Sequence, residues 1–372
     1  MKIFRTIIFA SSALAFSACA DLNEMKGGSG EEKQLMTIEA SIDVPGTKTY
    51  MGSHDPSLYG ANGGYPVLWS VGDKVALLSD SGLSEFTIKA EDGTTGPGHA
   101  VAQFEGNASE VVGTFPNTLV YPAAYPVEGA FAETFGGTLW VGSELPMIQT
   151  YVGNENQAKG FSDNTYPMAA AAIDPAHYHF FNMAGIVRLK IYSSEKRRIS
   201  RITLKNNAHA PVSGKMAMAF HSETGEVESS TEVKDNGKLV KAYGTDGSEN
   251  VIIDLSGITP DPTKPLETGV WLPDSETNAL EFNIAVIPQL FPKGFTVEIQ
   301  DATNLGTSKW VANRQLTVKR SEIMEMSTIN FVEPEPLGIA NCFLLSEAGE
   351  YLLPAYAYGN RLDIKIGLTN GQ

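Results

Sequence analysis

The plainest chemistry in this chain sits at Cys19. It closes the run Phe16-Ser17-Ala18-Cys19, behind Lys2, Arg5 and an apolar stretch from Ile7 to Phe16. A basic start, an apolar middle and small residues before the cut are the order of a secretory signal. With cysteine after the small pair, the pattern matches a lipobox. The thiol takes diacylglycerol, the signal is cleaved, and the mature chain begins at lipidated Cys19. Two acyl chains such as palmitate, at about 0.8 kcal/mol per buried methylene, anchor a chain stably where one alone is marginal. The other reading is a plain signal that ends on a cysteine by accident.

The remaining reactive residue types form no catalytic pattern. Of the 2 cysteines, Cys342 is left alone in the mature chain, without a disulfide partner and without a histidine nearby in sequence, so it reads as a small buried residue. The 6 histidines are scattered, and only His177 and His179 share a strand face, flanking Tyr178. Two imidazoles without a third ligand make a poor metal site, so no metal and no cofactor is expected. There is no Gly-x-x-x-x-Gly-Lys-Ser/Thr loop, no His-Glu-x-x-His and no Gly-x-Ser-x-Gly. Carboxylates are plentiful, but no motif fixes two across a substrate, so the chain is not expected to be an enzyme. Lys196-Arg197-Arg198 with Arg201 is the one basic cluster, either a solvated hairpin loop, a protease-sensitive turn or a contact for an acidic neighbour. Trp69, Trp140, Trp271 and Trp310 read as core. Tyr121, Tyr125, Trp140 and Tyr151 are the first place to seek a carbohydrate contact.

The elements that carry these residues are strands. The chain has 372 residues, 42% of them apolar, with 36 glycines and 20 prolines cutting it into short runs. Formal net charge is −16; losing Lys2 and Arg5 with the signal leaves 25 basic against 43 acidic residues, or −18, which disfavours nucleic acid as a partner. Period-two alternation predicts strands at Met36, Ile38, Ala40 and Ile42, at Val75 and Leu77, at Phe86 and Ile88, and at Val187, Leu189 and Ile191. In the last of these, Arg188 and Lys190 are expected to face water. Further strands are predicted around Ile199–Lys205, where Ile199, Thr203 and Lys205 oppose Ile202 and Leu204, and around Met216–Phe220, Val251–Leu255, Phe282–Val286 and Phe295–Ile299. Short strands with turns between them predict an all-β fold of two tandem β-sandwich domains. The expected parts are a signal over 1–18, a flexible tether over 19–34, an N-terminal sandwich over 35–175, a C-terminal sandwich over 176–332, and a linker and tail over 333–372. Asp174-Pro175 marks the first boundary and Glu333-Pro334-Glu335-Pro336 the second. The segment from Tyr121 to Asn164 is expected to be irregular.

Several local patterns coincide: Thr47-Lys48-Thr49-Tyr50 after the first strand, Leu68-Trp69-Ser70-Val71-Gly72-Asp73-Lys74-Val75 as a strand-turn-strand, Leu145-Pro146-Met147-Ile148-Gln149, Tyr166-Pro167-Met168-Ala169, and Ile339-Ala340-Asn341-Cys342-Phe343 before Gly349-Glu350-Tyr351. Following a lipobox, this set resembles the fimbrillin-like lipoproteins, subunits or accessory proteins of surface pili, over roughly residues 37–360. The resemblance implies two transthyretin-like sandwiches and an outer-membrane lipoprotein displayed at the cell surface, where Asp21 and Glu24 could serve as an export signal. It also implies trimming by a trypsin-like protease, with Lys48 in the usual neighbourhood of the cut. Assembly would follow by strand donation, with other pilus subunits as partners and a host protein or glycan as a further one. Physically this is β-augmentation: losing a core strand opens an apolar groove with unpaired backbone groups, and a foreign strand satisfies both.

In such pilins the donated segment is C-terminal. Here Leu362, Ile364, Ile366 and Leu368 alternate with Asp363, Lys365 and Gly367, the cleanest alternation in the chain. Residues 361–369 therefore read either as a donor strand or as an edge strand folded back on the second domain; a third reading makes the tail the remnant of a longer C-terminal region. The functional expectation is a structural and adhesive pilus component (shaft, tip or anchor). The alternative is a surface glycan-binding lipoprotein, with the same anchor and tandem sandwiches.

Overall fold

The computed structural model describes residues 34–42, 50–51, 67–79, 82–90, 93, 95–108, 117–123, 131–151, 165–229, 231, 238–264 and 267–334. Cys19, Lys48, Tyr125, Cys342 and the alternating tail at Leu362, Ile364, Ile366 and Leu368 lie outside them. The first dozen strands are β1 (Gln34–Ile42), β2 (Tyr50–Met51), β3 (Val67–Leu68), β4 (Lys74–Ser79), β5 (Gly82–Ile88), β6 (Val101–Ala108), β7 (Asn117–Tyr121), β8 (Phe131–Phe135), β9 (Thr138–Leu145), β10 (Ile148–Thr150), β11 (Met168–Ala172) and β12 (His177–Asn182). Then come β13 (Gly185–Tyr192), β14 (Arg198–Asn206), β15 (Gly214–His221), β16 (Val240–Ala242), β17 (Asn250–Asp254), β18 (Val270–Trp271), β19 (Leu280–Val286), β20 (Gln289–Phe291), β21 (Phe295–Asp301), β22 (Thr307–Ala312), β23 (Leu316–Val318), β24 (Ile323–Glu325) and β25 (Ile329–Asn330). The fold is all-β, as expected. Among the described residues no helix is long and apolar enough to cross a membrane.

Strands β1-β12-β11-β7-β4-β5-β6 close into a barrel. Its core cluster comprises Ile38, Ala40, Ile42, Trp69, Val75, Leu77, Phe86, Phe104, Leu119, Tyr121, Tyr178 and Phe180. Farther along, β10-β17-β14-β21-β22, with β18 on β14, faces β19-β13-β24, with β25 on β13. Val187, Leu189, Ile202, Leu204, Phe282, Ile284, Val297 and Phe331 lie in the core between them. A third sheet, β16-β15-β9-β8, lays Leu139, Val141, Met216, Met218 and Phe220 in one cluster with Ala76, Val120, Ala169 and Ala171 of the barrel strands and Ile186 of β13. Gln149 closes one side of the sandwich: its amide donates to the Ala285 carbonyl (2.8 Å) and accepts from the Ala285 N–H (3.0 Å), standing in for a ladder partner at β19.

Strand pairing runs across the position expected as the first boundary. Asp174-Pro175 lies between β11 and β12, which pair antiparallel (Met168 with Asn182, Ala169 with Phe181), and the Asp174 carboxylate accepts the Ala176 N–H at 2.9 Å. Conversely, β9 pairs with β15 and β10 with β17.

Three local expectations are corrected. The segment read as irregular contains the β8–β9 hairpin, turned by Gly136 and Gly137 at φ +61° and +91°. Two successive residues with positive φ are what a tight hairpin needs, and glycine supplies them without a side-chain clash. Ile199 and Ile202 share the core because a register shift between Ile199 and Arg201 changes the phase of β14. Arg188 does not face water. It is 1% exposed, its Nε donating to Asn283 at 2.9 Å with Glu325 at 3.4 Å and Glu281 at 3.9 Å, because a buried guanidinium requires acceptors and β19 and β24 supply them.

Candidate functional site: the seam of the first strand

The feature with most bearing on function is how β1 is held. It is the first described strand, and it joins the two ends of an otherwise open sheet. Along one edge it pairs antiparallel with β6, from Gln34 opposite Ala108 to Ser41 opposite Val101. Along the other it pairs parallel with β12, from Glu39 beside His177 to Ile42 beside Phe180, and Glu39 N–H donates to the Ala176 carbonyl at 2.7 Å. Its alternation divides it by face. Ile38, Ala40 and Ile42 are 1%, 0% and 2% exposed, while Leu35 and Thr37 face out.

The Trp69-Ser70-Val71-Gly72-Asp73 turn reads the presence of this strand from the far side of the core. Gly72 takes φ +85°, a turn conformation that a side chain would strain. That brings the Asp73 N–H to the Ser70 carbonyl (3.2 Å) and the Ser70 N–H to Asp73 Oδ2 (2.6 Å). The buried Asp73 Oδ1 accepts the Tyr121 hydroxyl at 2.9 Å. Trp69 then sits wholly buried, edge-on to Phe104, Phe180 and Tyr121 at 4.9, 5.4 and 5.7 Å between ring centroids. Its indole N–H donates to the Ala40 carbonyl of β1 at 3.1 Å. Removing β1 would orphan that donor in an apolar interior, a cost of about 1–3 kcal/mol.

Outside the seam, β12 alternates as expected and places His177 and His179 on the exterior. His179 Nδ1 lies 2.9 Å from Ser41 Oγ on β1, and His177 Nδ1 lies 2.8 Å from Asp174. The Asp174 hydrogen bond raises the His177 pKa, with a smaller push from the Glu39 charge on β1. Asp174 is lowered, chiefly by the Ala176 N–H and then by His177. The histidine's contribution is full below its ordinary pKa and fades as pH rises through the raised value. The carboxylate's is present above its ordinary pKa and fades as pH falls through the lowered one. The turn leading into β12 is therefore firmest between those two ranges. Titrating the His177 ring by NMR should give a pKa above the ordinary histidine value, and Asp174→Asn should return it towards that value.

Other candidates have structural roles. Trp69 and Trp140 are buried and Trp310 packs against the sandwich core, whereas Trp271 is 44% exposed with the Arg198 guanidinium 5.4 Å from its ring. Tyr121 and Tyr151 are buried too, so the mid-region presents no aromatic platform through Tyr121, Trp140 or Tyr151. Burial raises the Tyr151 pKa well above its usual value. In the basic cluster Arg197 pairs with Glu333 and Arg198 with Glu267 (3.4 Å), both within the chain. No group of three or more His, Cys, Asp or Glu among the described residues could hold a metal ion.

No protein-family model matches the chain, and no curated protein does. Among solved structures, a putative cell adhesion protein from Bacteroides ovatus is 12% identical over 80% of this chain and 93% of its own, with TM-score 0.38. One from Bacteroides uniformis is 10% identical over 80% and 94%, with TM-score 0.34. A fimbrial protein from Bacteroides ovatus is 10% identical over 79% of this chain and 50% of its own, with TM-score 0.29. Values this low transfer neither a detailed fold nor a function.

Proposed function

We propose that this chain is a structural, adhesive component of a surface pilus, exported as a lipoprotein through Cys19 and joined to its neighbours by strand exchange once a cut after Lys48 removes lipid and first strand together. The observation that carries the reading is the position of β1. A strand near the chain terminus, paired along both edges and completing an apolar core, can be replaced by another strand without disturbing the order of the rest. Cutting after Lys48 releases β1 and leaves the edges of β6 and β12 unpaired around a groove lined by Trp69, Phe104 and Phe180. The tail at Leu362, Ile364, Ile366 and Leu368 supplies the apolar alternation that such a groove takes. Glycan binding has less support, since three of its four named aromatic residues are buried or packed inward.

Limited trypsin digestion of the mature protein, with N-terminal sequencing and sizing, tests the proposal. It predicts a new terminus at Thr49 and concentration-dependent multimers. An uncut or freely monomeric product would refute it.

A further inference from the structure

We propose, building on the fibre reading, that the sandwich is a load-bearing element whose terminal strand is sheared rather than peeled when the tail is pulled. β13 enters the sandwich straight from barrel strand β12 through Met183 and Ala184, so its Gly185 end faces the barrel and its Tyr192 end is remote. β24 and β25 run beside it in the same direction: Ile186 with Ile323, Val187 with Met324, Arg188 with Glu325, then Ile191 with Ile329 and Tyr192 with Asn330. One more residue is spent on the terminal strand between Arg188 and Ile191, a bulge that leaves the direction unchanged. Gly185 allows the close approach that starts this pairing, since the Lys319 carbonyl lies 2.4 Å from where a Cβ would stand.

Backbone bonds are spread along the whole length. Ser321 N–H donates to Ala184 O (3.0 Å), Ile186 N–H to Glu322 O (3.0 Å), Met326 N–H to Arg188 O (3.0 Å) and Phe331 N–H to Tyr192 O (2.7 Å). Because the pair is parallel, the chain leaves at the end remote from the barrel. Tension between barrel and tail then acts along the strands and loads these bonds together. An antiparallel terminal strand would leave beside the barrel, and the same tension would open it one bond at a time.

The exit is also fastened. Phe331 is fully buried in the sandwich core. Arg197 pairs with Glu333, Glu333 N–H donates to Glu195 Oε2 at 2.8 Å, and Asn304 Nδ2 donates to the Pro334 carbonyl at 3.2 Å. A pull arriving through residue 335 meets this clamp and the buried ring before it reaches the ladder.

Cys19→Ser and Cys342→Ser in the full chain remove both native thiols, and a cysteine appended after Gln372 serves as one handle for optical tweezers. Lys293→Cys, exposed in the turn before β21, places the second handle at the barrel end of the sandwich. Phe295 pairs with Asn206 there, and Ile287 N–H donates to Val212 O. Lys196→Cys, exposed in the turn after β13, places it instead beside the tail exit. Pulled against the C-terminal handle, the Lys293→Cys chain should yield at about twofold or more the force of the Lys196→Cys chain at equal loading rate, since forced unfolding follows the barrier along the pulling direction. Equal forces, or a weaker Lys293→Cys chain, would overturn the proposal. Single molecules are pulled, so a chain that never polymerises leaves this result readable; that failure would count against the pilus reading alone.

Discussion

Replacing Trp69 with alanine should destabilise the folded chain by about 3–5 kcal/mol, the range for emptying a buried aromatic site. That is a large share of the roughly 5–15 kcal/mol that holds an ordinary domain folded. Three rings stand edge-on around Trp69, and none can close the space without leaving its own strand. The effect should also be directional. The indole N–H is bonded to Ala40, so amide exchange in β1 should accelerate more than exchange in β14 or β21 of the sandwich. Trp69→Phe separates the two contributions: it keeps most of the ring packing and leaves the Ala40 carbonyl without that donor, for a loss of about 1–3 kcal/mol. Denaturant midpoints and hydrogen exchange on the three chains measure both effects.

The second large effect is expected from removing β1 itself. Burying Ile38 and Ile42 contributes about 1.5–3 kcal/mol each, before counting Ala40, the ladder bonds to β6 and β12, or the orphaned indole. The sum rivals the whole stability of a domain. A chain beginning at Thr49 should therefore lose its cooperative barrel transition or bury the groove by self-association. Adding a peptide of residues 34–42 in excess should restore a monomer with near-native melting. A chain beginning at Thr49 that stays monomeric and melts like the intact one would show that β1 is dispensable.

What the sequence made legible was local. The alternation of Met36, Ile38, Ala40 and Ile42 announced both the strand and its buried face, and the Trp69–Asp73 segment announced a turn. Neither announced that the two meet, because a bond between residues 69 and 40 leaves no periodic trace. The closure of the barrel was hidden for the same reason. β1 alternates in the same way whether its neighbours are β6 and β12 or anything else, and only long-range packing selects them. Asp174-Pro175 reads as a boundary because an irregular stretch precedes it and a fresh series of strands follows; that β11 and β12 pair across it leaves no local trace. Gly136-Gly137 was a hairpin signal submerged among prolines. Arg188 reads as solvated because a charged residue on an alternating strand usually is; the acceptors that allow its burial, Glu281 and Asn283 of β19 and Glu325 of β24, stand nearly a hundred residues or more away.

Hydrogen exchange at the facing edges of β6 and β12, in a chain of residues 49–357 kept monomeric by dilution, with and without a peptide of residues 358–372, decides whether β1 occupies a replaceable place. Fast exchange there without peptide, and protection on adding it, is the predicted result. Protection without peptide would mean that the two edges close on each other and leave no place for a foreign strand.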